Sequence, residues 1–135
     1  MICLDTNVVV AYLRRQDRGL VEHFQSEIRR EPFAVPSIVL FELRFGIAKS
    51  SRKDENTARL GVFLQLPLVV LPFGAADAEE AGEVRAALER AGAPIGPYDV
   101  LIAAQARRLD AVLVTANGRE FSRVPRLKIE DWSAL

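Results

Sequence analysis

Short apolar runs recur along the chain at Ile2-Cys3-Leu4, Phe33-Ala34-Val35, Leu68-Val69-Val70-Leu71 and Ala111-Val112-Leu113-Val114, with stretches of helical periodicity between them. Runs this short and unbroken by polar residues read as strands buried on both faces. Buried strands that alternate with helices are joined by crossovers, so the pattern predicts an α/β chain whose parallel sheet is covered on both sides. In such sheets ligands sit outside the carboxyl ends of the strands. Asp5 follows one such end, and Thr115, Asn117 and Glu120 follow another.

The helical stretches are read at about 8–13, 19–30, 37–50, 54–65, 75–91 and 100–108. Asp5-Thr6-Asn7 supplies good capping groups for the first, Ser37 reads as an N-cap for the third, and Pro97 suits the first turn of the last. The run from Leu68 to Leu71, between Pro67 and Pro72, reads as a fully buried strand, and residues 92–97 form the one clear loop, placed to be part of a site. With 135 residues, 50% of them apolar, the chain suffices for one domain with its own core, and no linker or repeat divides it.

Four acids stand out. Asp5 ends the first strand, and Asp99 falls in a first helical turn, where an N-cap or the helix dipole would explain either one alone. Glu42 is harder to explain, because its neighbours one turn away are Ile38, Val39, Phe45 and Gly46, and an unpartnered carboxylate on an apolar face is costly. A pairing with Arg44 is the plain alternative. Glu120 follows the turn Thr115-Ala116-Asn117-Gly118. Acids gathered in this way point to a divalent cation.

Other chemistries lack their residues. His23 is the single histidine and Cys3 the single cysteine, so neither a zinc cluster nor an internal disulfide is available, and Cys3 reads as a small buried hydrophobe. There is no phosphate loop and no nucleophile elbow. Eighteen basic residues balance eighteen acidic ones, so a nucleic-acid partner would have to be drawn by local clusters such as Arg14, Arg15 and Arg18 and by metal. No signal-peptide pattern or membrane-length apolar run is found, and a cytoplasmic protein without a membrane partner is expected.

Four blocks carry a resemblance: Leu4-Asp5-Thr6-Asn7, Phe41-Glu42-Leu43-Arg44-Phe45-Gly46, the segment from Ile95 to Ala104 around Asp99, and the segment from Val114 to Phe121, followed by Ile129-Glu130-Asp131-Trp132. In this order they resemble the PIN-domain ribonucleases, specifically the VapC-type toxins of bacterial type II toxin–antitoxin systems. The resemblance implies a three-layer α/β/α sandwich with a central parallel sheet, in which Asp5, Glu42 and Asp99 are catalytic and hold Mg²⁺ or Mn²⁺. Hard oxygen ligands suit those ions better than zinc. Asn117 stands where many relatives place Asp, which leaves Thr6, Thr115, Asn117 and Glu120 in supporting roles. The implied reaction is hydrolysis of an RNA phosphodiester, in transfer or ribosomal RNA, by a metal-activated water, with Arg44 and Arg119 on the RNA backbone. A homodimer and a VapB-type antitoxin are implied as well, the latter touching Val9, Tyr12, Leu13 and Leu20. Two rival readings are a PIN-like binding module without catalysis and a phospho-acceptor domain built on Asp5.

Overall fold

In the computed structural model, which describes residues 1–134, the apolar runs form β1 (Ile2–Leu4), β2 (Phe33–Pro36), β3 (Leu68–Leu71) and β4 (Val112–Val114). A fifth strand, β5 (Lys128–Glu130), completes a sheet of order β3-β2-β1-β4-β5 in which every neighbouring pair is parallel. Around it lie α1 (Thr6–Arg14), α2 (Arg18–Ile28), α3 (Ser37–Ala48), α4 (Lys53–Phe63), α5 (Ala75–Arg90), α6 (Pro97–Arg108) and α7 (Gly118–Phe121), with a 3-10 turn at Trp132–Ala134. The expected three-layer α/β/α arrangement is present. The direction of strand order reverses between β1 and β4, and this switch point opens a crevice at the carboxyl ends of both strands. No helix among the described residues is long and apolar enough to cross a membrane.

The central strands are unbroken apolar runs because both of their faces are covered. Cys3, Leu4, Leu113 and Val114 are completely buried, and burial pushes the Cys3 thiol up to about 11, so it packs as an inert hydrophobe. Under one face of the sheet Tyr12 stacks on Phe24 at 3.9 Å, Phe24 meets Phe33 edge-on at 4.9 Å, and Trp132 closes the cluster against Phe33 at 5.6 Å. His23 lies edge-on to Trp132 at 4.7 Å, as part of this packing.

Several details differ from the sequence reading. β3 is an edge strand, with Val69 and Val70 52% and 40% exposed, because nothing pairs beyond it. β5 gave no signal, since Ile129 is its one apolar residue. The first helical residue of α3 is Ser37, with Pro36 at the cap and no side-chain bond there. The turn read at residues 115–118 runs directly into a short helix, α7, over Gly118–Phe121, for which the sequence offers no expectation.

A buried polar staple sets the position of α6. Asp77, 2% exposed, accepts from the Gly74 backbone N–H at 2.8 Å, from Arg108 Nε at 2.6 Å and from Gln105 Nε2 at 3.2 Å. Gln105 also donates to the Pro72 carbonyl at 2.9 Å, so one network joins the end of β3, the start of α5 and the length of α6. Burial alone would raise the Asp77 carboxyl, but the Gly74 N–H and the Arg108 guanidinium outweigh it and hold the group below its usual range. The Arg108 guanidinium is 35% exposed and stays solvated without its partner, so the loss of Asp77 is felt chiefly by the Gly74 N–H and the Gln105 amide, which lose their acceptor. Asp77→Ala should therefore destabilise the fold by about 1–2 kcal/mol, read as a lower urea midpoint with unchanged m-value; a loss below about 0.5 kcal/mol would show that the network is incidental.

Candidate active site

β1 ends at Leu4, and the backbone turns at once into α1, so Asp5 sits at the switch point as the N-cap residue. Its Oδ1 accepts from the Thr6 N–H at 2.8 Å, and its backbone N–H donates to the Val114 carbonyl at 3.0 Å. The capping role and the site role thus belong to the same residue, although Thr6 and Asn7 were expected to relieve Asp5 of the first. Thr115, at the matching end of β4, is fully buried and donates from Oγ1 to Asp5 Oδ2 at 2.7 Å. The same Thr115 oxygen accepts from the Asn117 N–H at 2.9 Å, which shapes the turn into α7.

Glu42 arrives from α3. Its Oε1 accepts from Thr6 Oγ1 at 2.7 Å, while Arg44 makes no ion pair with it. The face it occupies is less apolar than its neighbours suggest, since Phe45 is 56% exposed and Glu42 itself is half-buried. Asp99 arrives from the first turn of α6, after Gly96 and Pro97. A Cβ on Gly96 would lie 3.1 Å from Asp99 Oδ2, so the glycine lets this carboxylate fold close to the backbone. Glu120, half-buried on α7, accepts from Asn117 Nδ2 at 2.7 Å.

These groups line an open cavity of about 470 Å³ walled by Asp5, Thr6, Asn7, Glu42, Asp99 and Asn117, with Val10, Ala11 and Arg14 along α1. The electrostatics record how close the acids are. The Asp99 carboxyl is raised to about 6, first by burial, then by the charges of Asp5, Glu120 and Glu42 and by a hydrogen bond with Glu120. Asp5 is raised as well, by burial against its Thr115 and Thr6 hydrogen bonds, with Glu42 adding to the rise. Glu120 therefore belongs to the acid cluster more closely than the sequence suggested, and its charge acts on Asp99 more strongly than that of Glu42.

Apart from the Arg14 guanidinium, the polar side-chain atoms lining the cavity are hard oxygens and amides, and neither Cys nor His is among its lining residues. Among the described residues no three acids close on one point, so the set is open rather than a cage. An open set of carboxylates fits a hard divalent cation that keeps some of its waters and takes further oxygens from a phosphate. An adjoining cleft of about 330 Å³ between α1, α3 and α4 shares Thr6, Val10, Arg14 and Glu42 with the cavity and has an apolar floor of Leu13, Leu43, Ile47 and Leu60.

Arg44 and Arg119 are exposed and line neither space, whereas Asn7 and Arg14 do. The signal for both was in the sequence. Residues 7, 10, 11 and 14 share one face of a helix, and Asp5 at its N-terminus marks which face turns to the site. Of the residues that the sequence offers either to the antitoxin or to the core, Val9, Tyr12 and Leu20 are at most 4% exposed and belong to the core.

A family model described as the PIN domain matches residues 2–127. Ribonuclease VapC2 of Rickettsia felis is 37% identical to this chain over 129 residues, covering 96% of each. The tRNA(fMet)-specific endonuclease VapC of Shigella flexneri is 37% identical over 130 residues, again covering 96% of each. The crystal structure of VapBC2 from Rickettsia felis bound to a DNA fragment from their promoter contains a chain that matches with a TM-score of 0.91 at 37% identity, over 98% of this chain and 99% of that one.

The raised Asp99 carboxyl makes a prediction about the metal-free protein. A group whose folded pKa lies above its unfolded value stabilises the fold below the unfolded value, here 3.8, and that contribution is lost as pH rises through about 6. Asp99→Asn should raise the Tm of the metal-free protein by a few degrees at pH ~7.5, by clearly less at pH ~4.5, and hardly at all below about 3.8. Equal shifts at pH ~7.5 and ~4.5 would show that the fold does not raise the Asp99 carboxyl.

Proposed function

The chain belongs to the PIN-domain family, and from that premise we propose that it is the toxin ribonuclease of a VapBC-type toxin–antitoxin pair, an endonuclease that hydrolyses RNA with the help of Mg²⁺ or Mn²⁺. The observation that carries the reading is the gathering of Asp5, Glu42, Asp99 and Glu120 at the β1/β4 switch point, where burial first and then the charges of the other three acids raise Asp99 to about 6. Mutual repulsion of this kind destabilises an empty site and is relieved by a cation. PIN-domain ribonucleases generally use divalent metal. The relative from Shigella flexneri is named for tRNA(fMet), which makes that RNA the first substrate to test.

Asp5, Glu42 and Asp99 would supply the ligands, with Glu120 beside Asp99, and because no three of them meet at one point, holding the ion would require their side chains to draw together. A divalent ion bound there neutralises phosphate charge and makes water a better nucleophile at neutral pH. The side chains do the rest. Thr115 fixes Asp5 through one carboxylate oxygen while the Thr6 N–H takes the other, and the Thr6 hydroxyl fixes Glu42, so the acids are oriented before substrate arrives. Both hydroxyls are committed as donors to carboxylates and no thiol lines the cavity, so neither is offered as a nucleophile, and in this reading water is the attacking group. Asp99, raised to about 6 first by burial, holds a proton more tightly than an ordinary carboxyl and would have to release it on taking a cation, so metal binding should tighten as pH rises through that value.

A VapB-type antitoxin is the expected protein partner. The apolar cleft between α1, α3 and α4 opens into the acid cavity at Thr6 and Glu42, so a segment laid along the cleft would end on the catalytic acids and block them. A homodimer belongs to the same reading. Phe41, Phe45 and Tyr98 form an exposed aromatic patch, Phe41 lying 5.3 Å from Tyr98 and 6.5 Å from Phe45, which suits association with a second copy.

Two experiments test this reading. Asp5→Asn keeps one acceptor oxygen, enough for the Thr6 N–H, while its amide N–H can meet Thr115 only if that hydroxyl turns from donor to acceptor. It removes a charged ligand at little change in shape, so it should still fold and lose RNA cleavage by roughly 10²-fold or more, as should Asp99→Asn. Full activity in either variant, or undiminished activity in EDTA, would overturn the metal-dependent nuclease and favour a binding module. Sedimentation velocity should show a dimer that Phe45→Glu converts to monomer; a dimer indifferent to the change would place the contact elsewhere.

A further inference from the structure

Arg14 is the one cation lining the acid cavity among the described residues, and it forms no ion pair there with Asp5, Glu42 or Asp99. Its neighbour Arg15 shows what an ordinary arginine does at the end of α1. Arg15 lies over the Tyr12 ring at 4.9 Å and donates to the Tyr12 hydroxyl at 3.2 Å, so its charge and planar face are used by the fold. Arg14 is exposed, and no ion pair holds it. The helix dipole favours a cation in the last turn of α1, but that preference does not explain why this one shares a face with Asn7, Val10 and Ala11 and so lines the site.

Helix geometry places its charge along the path of a substrate. Nine residues separate Asp5 from Arg14, and at about 1.5 Å per residue their Cα atoms stand roughly 13 Å apart along α1. Helical side chains lean toward the N-terminus, which here is the acid end. An arginine reaching back from position 14 comes near the acids without touching them, which leaves room for about one nucleotide between. Arg14 also borders the second cleft, so it stands where a strand leaving the acids would pass from one space into the other.

We propose that Arg14 binds the RNA backbone phosphate next to the scissile one and so sets the register of the strand over the acids. The inference rests on the nuclease reading above and adds a residue to it. A site lined with carboxylates repels a polyanion, and an unpaired guanidinium beside it supplies a forked, charge-assisted grip on phosphate oxygens. Arg14 is thus a substrate-positioning residue, and its contact is the same in the ground state and the transition state.

The test is steady-state cleavage of a tRNA(fMet) transcript in Mg²⁺, and of total RNA if that transcript is left intact, by wild type, Arg14→Ala, Arg14→Gln and Arg14→Lys over a series of salt concentrations. Circular dichroism confirms that each variant is folded. For Ala and Gln, KM should rise about tenfold with kcat within about twofold, the mark of a contact made equally in both states. The dependence of log KM on log salt should flatten by about 0.7, as for one lost phosphate contact on a single strand. Lys should restore the salt slope, which counts charges, while KM stays intermediate because the fork is gone. Wild-type cleavage with variants unchanged in KM and slope would overturn this inference and leave the nuclease reading standing. A fall in kcat alone would overturn it in favour of contact with the reacting phosphate. Normal cleavage by a variant that antitoxin no longer inhibits would assign the residue to the protein partner instead. A wild-type protein that cleaves no RNA in Mg²⁺ or Mn²⁺ would overturn both readings at once.

Discussion

The 2.7 Å hydrogen bond from Thr115 to Asp5 joins residues 110 positions apart, and the site depends on it. It ties the carboxyl end of β1 to that of β4 at the point where strand order reverses, and it leaves Asp5 oriented with both oxygens engaged. A carboxylate that is 4% exposed tolerates its burial only if such donors are present. The other members of the site are arranged around this fixed acid: Glu42 through Thr6, one residue along, and Asn117 and Glu120 through the turn that Thr115 shapes.

The cluster works against the stability of the metal-free fold, since burial and three other acids push Asp99 up to about 6. The scaffold offsets this elsewhere. The Asp77, Arg108 and Gln105 network holds α6 to α5 and β3, and the aromatic stack of Tyr12, Phe24 and Phe33 holds α1 and α2 to the sheet. These contacts fix the two helices whose first turns carry Thr6 and Asp99. Functional acids held in mutual repulsion by a rigid frame are a common form of the exchange between stability and activity.

Asp5 was legible as a candidate because it stands at a strand end and Glu42 because it breaks a local rule, whereas Asp99 suits its helical turn and was picked out by its place in one of the four ordered blocks that carried the family. Other features were not. Leu68 to Leu71 reads as a buried strand, yet its exposure depends on whether a further strand pairs with it, which no local pattern records. β5 has a single apolar residue and exists because β4 has a free edge to offer. Glu120 looked peripheral because its nearness to Asp99 spans two segments that only the folded sheet brings together. Arg14 was visible as a charge in a basic cluster, and its place on the site-facing side of α1 followed from helical spacing once that side was known.

The sequence by itself determined the alternation of strands and helices, the parallel sheet and the identity of three acids, because periodicity, capping and isolated polar residues are local properties. The tertiary structure alone decided which strand ends lie side by side, which hydroxyl serves which carboxylate and which arginine borders the cavity. Those depend on distances between segments far apart in the chain, and the charges of Asp5, Glu42 and Glu120 act on Asp99 only at the separations that the fold imposes.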